Sequence, residues 1–251
     1  MKTAADWHAR FVQQVRWTQE LRRYVLPRAG IEGANHVLEV GCGTGALTAS
    51  LHAETKATIY GIDLDRSYLL MATRNDRLTH FAQANAARLP FHSDSFDLSI
   101  CHFLLLWARN PLNVLTEMRR VTRSGGAVVA LAEPDYGGRI DYPDPLIELG
   151  RLQTEALREQ GADPEMGRKL GSLFVRAGLE DVETGLLGGQ WKRQSTSTVA
   201  WELEWRTIEA DLAGRVDPAV LMDWRAEDEA ARKRGERVLF VPTFYAWGRV
   251  I

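Results

Sequence analysis

The sequence predicts an α/β fold, a mostly parallel sheet with helices on both faces, and three observations carry that expectation. Short apolar runs alternate with helical stretches between residues 36 and 132, the pattern of successive βα units. A glycine-rich bend, Gly41-Cys42-Gly43-Thr44-Gly45, joins the first of those runs directly to a helix. The chain has 251 residues, 45% hydrophobic and 25% charged, enough to close a full core and unlike a disordered, collagenous or coiled-coil sequence.

From the N-terminus, residues 1–28 read as one amphipathic helix, with Trp7, Phe11, Val15, Thr18, Leu21 and Val25 at steps of three or four and Pro27 marking its end. Strands are expected at 36–40, 58–62, 79–84, 96–101 and 126–132, with helices at 44–54, 66–77 and 111–123 between them. The last of these helices starts at Asn110-Pro111, carries Arg119, Arg120 and Arg123 in its final turn, and is stopped by Gly125-Gly126. Residues 144–177 read as helical with a break near Gly161 to Pro164, and 179–187 as a further strand. Two helices follow over 196–234; the first has Trp201, Trp205, Ile208 and Leu212 on one stripe, and the second opens on Asp217-Pro218. The run RVLFVPTFYAWGRVI closes the sheet as a final strand. The expected organisation is an N-terminal helical cap (1–30), a core (31–190), a helical insertion covering the substrate pocket (191–235) and a closing strand (236–251).

Composition narrows the function. Lys and Arg number 31 against 33 Asp and Glu, a net charge of −2, which gives no electrostatic reason for a nucleic-acid or membrane partner. The longest uncharged apolar run, Leu98 to Ala108, is far shorter than the roughly 20 residues a bilayer requires. The charged N-terminus lacks the apolar stretch of a signal peptide. Cys42 and Cys101 are the two cysteines, too few for a disulfide framework, so a reducing, cytoplasmic setting is expected. No H-x-x-x-H or C-x-x-C pair is present, and no metal site is expected.

The bend at 41–45 is where a ligand can approach the backbone, because glycine permits a tight turn without a Cβ in the way. Its spacing alone leaves two readings open. Gly41, Gly43 and Ala46 also satisfy the dinucleotide fingerprint, with Asp63 at a suitable distance downstream. Four further features point elsewhere. Glu39 precedes the glycines, giving E-x-G-x-G-x-G. Asp63 closes the second strand in YGIDLD, placed to accept hydrogen bonds from ribose hydroxyls. The third strand runs into Gln83-Ala84-Asn85-Ala86. EMRRVTRSGGAVVALAEP (117–134) then supplies a helix, a glycine turn and a strand.

In that order these motifs resemble the class I S-adenosylmethionine-dependent methyltransferases, in the type 11 branch acting on small molecules, over residues 37–134. The resemblance implies a Rossmann-like seven-stranded sheet with an antiparallel closing strand, and S-adenosylmethionine as cofactor. It implies that Gly41, Cys42, Gly43 and Gly45 wrap the methionine part and that Glu39 orients the loop or the ligand's amino group. Asp63 would hold the ribose, Leu64 pack on the adenine, and Asn85 with the Ala86 backbone meet the adenine amino group. Cys101 and His102 end the fourth strand beside the ligand's amino group. Ala84-Asn85 stands where the family more commonly has Gly-Asp, a departure at the adenine contact.

A sulfonium methyl needs no acid to activate it, so such a protein aligns nucleophile, methyl and sulfur in line and excludes water. A base is required only if the acceptor must lose a proton. The substrate-side candidates are His102, Asp135 and Tyr136, against the plainer reading that Glu133 and Asp135 cap the following turn and His102 is a packed polar residue. Cys42 and Cys101 read as buried fillers. Five of the eight tryptophans (191, 201, 205, 224 and 247) fall in the last quarter, as cap packing or as an acceptor pocket. Trp17 is expected to close over the cofactor with Arg22 near its carboxylate. The expected activity is methyl transfer to a small-molecule acceptor. The alternatives are a nicotinamide-dependent oxidoreductase, against which stand Asn85 and the lack of a Tyr-x-x-x-Lys pair, and a non-catalytic S-adenosylmethionine binder.

Overall fold

A computed structural model of the chain describes residues 3–187 and 198–251. Its centre is a seven-stranded sheet formed by β1 (His36–Val40), β2 (Thr58–Asp63), β3 (His80–Gln83), β4 (Phe96–Cys101), β5 (Thr122–Pro134), β7 (Glu180–Leu186) and β9 (Thr243–Arg249). Their order across the sheet is β3-β2-β1-β4-β5-β9-β7. Strands β1 to β5 pair in parallel, and β9 runs antiparallel to both β5 and β7. The expected fold class is the one observed.

Alternation along each strand sends successive side chains to opposite faces, which separates two cores. One face collects Leu38, Val40, Val128 and Ala130 under Val114, Leu115 and Met118 of α5 (Pro111–Val121) and Leu170 and Phe174 of α7 (Leu170–Arg176). The other collects Val37, Ile59, Leu98, Ile100 and Val129 under Val25 and Leu26 of α2 (Gln19–Ala29) and Leu47 and Leu51 of α3 (Ala46–Leu51). Between β2 and β3 runs α4 (Arg66–Asn75), capped by the Asp65 side chain. Strands covered on both faces explain why the sequence reads as continuous apolar runs there.

The N-terminal helix is two helices. α1 (Ala4–Trp17) opens on a capping box in which Thr3 and Asp6 satisfy each other's backbone N–H groups. The chain breaks at Thr18, whose hydroxyl turns back on the carbonyls of Gln14 and Val15, and α2 follows. A threonine that bonds its own preceding turn competes with helix continuation, a local effect the apolar stripe does not reveal. α5 ends at Val121 and the chain enters β5 at once. Gly125 (φ +77) turns the chain inside that strand instead of stopping the helix, and Arg123 leaves the helix to pair with Asp97 at 2.6 Å.

A third core lies outside the sheet. Leu146, Leu149 and Ala156, the last two on α6 (Ile147–Glu159), pack with Trp205, Ile208 and Leu212, the first two of these on α8 (Thr198–Asp211). Beside it α9 (Pro218–Arg234) contributes Asp228, a buried carboxylate that accepts from the indole N–H groups of Trp201 and Trp205 and from Arg232 and Arg237. The expected single closing strand is in fact two. β8 (Val238–Phe240) pairs antiparallel with β6 (Ile140–Tyr142) in a separate two-stranded sheet, and only β9 completes the main one. Pro242 lies between β8 and β9; without an N–H it cannot continue a ladder. Trp191 falls outside the described residues. No helix among the described residues is long and apolar enough to cross a membrane.

Candidate functional site

The C-terminal ends of β1, β2, β3 and β4 lie side by side, and this is where the sequence-predicted residues meet. In an open parallel sheet, ligands bind outside the carboxyl ends of the strands. After β1 the chain turns through three left-handed glycines, Gly41 (φ +75), Gly43 (φ +52) and Gly45 (φ +77). A Cβ on Gly41 would stand 2.7 Å from the Leu104 side chain, and one on Gly43 would stand 2.9 Å from the Phe11 ring. The bend is therefore held between the loop after β4 and helix α1. His8 of α1 reinforces this contact, its Nδ1 lying 2.8 Å from Thr44 Oγ1.

Two carboxylates organise the bend. Asp63, at the end of β2, accepts from the Gly43 N–H at 2.8 Å through Oδ2 and from the Asp65 N–H at 2.9 Å through Oδ1. Burial raises its pKa and those backbone donors pull it back. Glu39 is 2% exposed, and its Oε2 has no hydrogen-bond partner among the described residues. Burial, and next the negative charge of Asp63, push its pKa well up. An orphaned buried acceptor is costly and calls for a donor. Beside it Arg22 is buried, donating to Val15 O at 2.6 Å and to Thr18 Oγ1 at 3.0 Å, with Glu54 3.5 Å away.

Leu64 is 68% exposed at the mouth of β2, a large apolar side chain with one face free. Asn85 is exposed, and its Oδ1 already accepts from the Ala87 N–H at 2.9 Å. Ala86 lies beside it. Cys42 and Cys101 are buried with thiols pushed well up by that burial, so both are protonated fillers. Trp17, at the end of α1, is 53% exposed, and the Arg10 guanidinium lies 4.5 Å over its ring.

Beyond β4, His102 Nε2 lies 3.0 Å from Thr18 Oγ1. Burial, and next the Arg22 cation, lower its pKa to about 3, so the imidazole is neutral at physiological pH. It still keeps some accessible surface. Phe103 then adopts φ +51, a strained conformation for a bulky residue of the kind found at ligand sites. The strain is held by Glu133 at the end of β5, whose carboxylate accepts from the N–H groups of Leu104, Leu105 and Leu106 at 3.0, 2.8 and 3.0 Å. Glu133 therefore supports the loop after β4, a function its sequence position did not reveal.

Burial lifts the Glu133 pKa to about 7 against the three backbone donors. A folded pKa above the unfolded value of 4.5 means that the native state binds the extra proton. Stability is then greatest below pH 4.5 for this group and is lost as pH rises towards 7, by about 3 kcal/mol in total. Glu133→Gln is expected to flatten the melting temperature between pH 5 and 7.5, read by circular dichroism; an unchanged pH profile would refute it.

Asp135 and Tyr136 lie past β5, at the sheet's other shoulder. Asp135 is buried and held by Arg168 through Nε and Nη2, at 2.5 and 2.6 Å, so its carboxylate is already committed. Tyr136 is half-buried, its hydroxyl pKa raised by burial, with the Arg139 guanidinium 5.9 Å over its ring. Among the described residues there is no group of three or more His, Cys, Asp or Glu able to hold a metal. Phe11, His8 and Thr18 were missed as site residues. Phe11 and Thr18 are part of the α1 stripe, and periodicity alone does not say what a stripe covers.

Residues 38–130 match a methyltransferase domain family. Over 195 residues the chain is 30% identical to the demethylmenaquinone methyltransferase of Bacillus subtilis (strain 168), covering 69% of this chain and 81% of that protein. The chain belongs to the class I S-adenosylmethionine-dependent methyltransferases. Two solved structures with the same fold are phosphoethanolamine N-methyltransferase 2 of Haemonchus contortus with S-adenosyl-L-methionine and geranyl diphosphate C-methyltransferase of Streptomyces coelicolor A3(2) with S-adenosyl-L-homocysteine. The first has TM-score 0.60 and 15% identity, covering 93% of this chain and 52% of that one. The second has TM-score 0.58 and 12% identity, covering 94% and 80%. At such identities they establish the fold alone. As a methyltransferase the chain uses S-adenosylmethionine and transfers its methyl group to a small-molecule acceptor. The nicotinamide reading of the glycine bend is not favoured.

Proposed function

We propose that S-adenosylmethionine lies across the bend at Gly41 to Gly45 and that an aromatic small-molecule acceptor enters from the ends of β4 and β5. The observation that carries this is the orphaned Oε2 of Glu39. A buried carboxylate oxygen with no donor, under a bend in which a Cβ would collide, fits the ammonium of a bound amino acid group. When bound, the cofactor supplies an electrophilic methyl on a sulfonium. The chain's residues bind, orient and exclude water.

In this reading Asp63 keeps lone pairs for the ribose hydroxyls beyond its two backbone donors. Leu64 offers its exposed face to the adenine, and Asn85 and the Ala86 backbone edge meet its amino group. Cys101 contributes backbone, and Phe11 covers the bend. Trp17 and Arg22 flank the entry. His102, neutral and half-buried, offers a hydrogen bond to the acceptor and with Tyr136 sets its position; Asp135 supports that loop through Arg168. The helices α1, α2, α8 and α9 cap the core built around the seven-stranded sheet. An aromatic acceptor is supported by the demethylmenaquinone methyltransferase relative and by the aromatic side chains Phe103 and Tyr136. A free small molecule in the cytoplasm, not a nucleic acid, suits the balanced charge and the two unpaired cysteines.

Isothermal titration with S-adenosylhomocysteine and, separately, with NADH tests the cofactor reading. Micromolar affinity for the first and none for the second is expected. NADH binding without S-adenosylhomocysteine binding would overturn it.

A further inference from the structure

Thr18 is the N-cap of α2, yet its side chain makes no capping hydrogen bond. A threonine in that position ordinarily accepts from the first N–H groups of the helix; here the hydroxyl has other partners. It donates to Gln14 O at 3.1 Å, with Val15 O sharing the proton at 3.3 Å. Arg22 Nη1 donates to its Oγ1 at 3.0 Å, and His102 Nε2 lies at the same distance from that atom. At 5% exposure the hydroxyl must satisfy one proton and two lone pairs within the protein. The carbonyls take the proton, and Arg22, which can only donate, fills one lone pair. The other is filled only if His102 turns a protonated Nε2 toward it. The reverse arrangement, with Thr18 donating to a bare Nε2, leaves a buried lone pair of Oγ1 empty.

Burial and the Arg22 cation keep the imidazole neutral, with a pKa of about 3, so a proton on Nε2 leaves Nδ1 as a lone pair. Nδ1 has no hydrogen-bond partner among the described residues, and it is not one of their enclosed side-chain atoms left without a partner. The backbone places this open nitrogen at the site. In the pairing of β1 with β4, Val40 stands opposite Cys101, which brings His102 level with Gly41. Strand order also reverses between β1 and β4, with β2 on one side and β5 on the other, and ligands of open α/β sheets bind in the crevice at such a point. Phe103 steadies the ring in a T-shaped contact, the centroids 4.8 Å apart.

We propose that Thr18 is a positioning residue that fixes His102 as its Nε2–H tautomer, and that the open Nδ1 lone pair selects a methyl acceptor bearing a hydrogen-bond donor, a neutral hydroxyl or N–H, on its ring. This rests on the assignment of the site above. It also gives the break between α1 and α2 a function, since that break is what brings the hydroxyl of Thr18 to the end of β4.

The test uses the full chain saturated with S-adenosylhomocysteine at neutral pH. One arm labels the histidine rings with 15N and reads the tautomer from two-bond 15N–1H spectra, the His102 signals being assigned by their loss in H102Q. Wild type is expected to show a protonated Nε2 and a bare Nδ1. In T18V the buried Nε2–H loses its partner, and about half or more of His102 is expected as the Nδ1–H tautomer, against the preference of free histidine. T18S restores the hydroxyl and is expected to match wild type. The other arm compares 2-naphthol with 2-methoxynaphthalene, of which only the first can donate. Wild type and T18S are expected to bind the naphthol about fivefold more tightly, the size of one net hydrogen bond, and T18V to lose that preference. A proton on Nδ1 in wild type, a tautomer unmoved in T18V, no preference for the naphthol in wild type, or a preference that survives in T18V overturns the proposal. Should T18V fail to fold, the tautomer and the preference in wild type and T18S decide. Failure of wild type to bind S-adenosylhomocysteine removes the site assignment and this proposal together, whereas intact binding with Nδ1 protonated removes this proposal alone.

Discussion

Asp63→Ala is expected to weaken S-adenosylhomocysteine binding by about 100-fold or more. The carboxylate holds the Gly43 N–H at 2.8 Å and the Asp65 N–H at 2.9 Å. Hydrogen bonds to a charged group contribute roughly 1.5–3 kcal/mol each. Alanine removes both, freeing the bend that must be pre-set for the ligand, and it also removes the acceptors proposed for the ribose. A loss of only about 2.7 kcal/mol already corresponds to 100-fold. Asp63→Asn is expected to fall between the two, because one of its two positions becomes an amide facing a backbone N–H, donor against donor. Titration calorimetry measures both variants, and the melting temperature of each reports whether the core survives. Wild-type affinity in the alanine variant would place the nucleoside elsewhere.

Asp228→Asn is expected to cost about 3–5 kcal/mol of stability, the range for breaking a buried ion pair by removing one partner. At 2% exposure Asp228 accepts from Trp205 Nε1 at 3.0 Å, Arg232 Nε at 2.9 Å and Arg237 Nε at 2.5 Å. An asparagine there leaves Arg232 and Arg237 with one carboxylate each, Glu204 and Asp141, and turns one donor against another. The fall in melting temperature should be roughly 10 °C for a chain of this size. The pH dependence follows from the shift. Burial raises the Asp228 pKa, but Arg232, the two indoles and Arg237 together bring it below its ordinary 3.8. A depressed folded value stabilises the native state above the unfolded value, and that contribution is lost as pH falls through the folded one. The gap between wild type and variant should therefore be full at pH 7 and close below about pH 4. A gap that does not change with pH would show that the pairing is not what Asp228 supplies.

Much of this fold is legible in the sequence because the sheet is buried on both faces. Apolar runs such as HVLEV and FDLSIC coincide with β1 and β4 residue for residue, and the glycines at 41, 43 and 45 all adopt the left-handed backbone that the bend requires. What escaped was set by contacts distant in sequence. IDY at 140–142 is a strand only because residues 238–240 arrive beside it. Three residues carry too little pattern to announce that. The break at Thr18 is a hydroxyl folding back on its own helix, invisible to a count of apolar steps. At the site, the motif residues on β1, β2 and β4 were readable because each lies at the end of a strand. Glu133 was not, because its three amide donors lie 27 to 29 residues earlier in the chain.

The place of β9 between β5 and β7 has a consequence for biosynthesis. Both neighbours are made well before it, and each waits with an unpaired edge until residues 243–249 leave the ribosome. Nascent chains with open strand edges are prone to pair with one another, and closing contacts between distant segments is slow. Until the penultimate position of the sheet is filled, pairing with another chain competes with folding at both open edges.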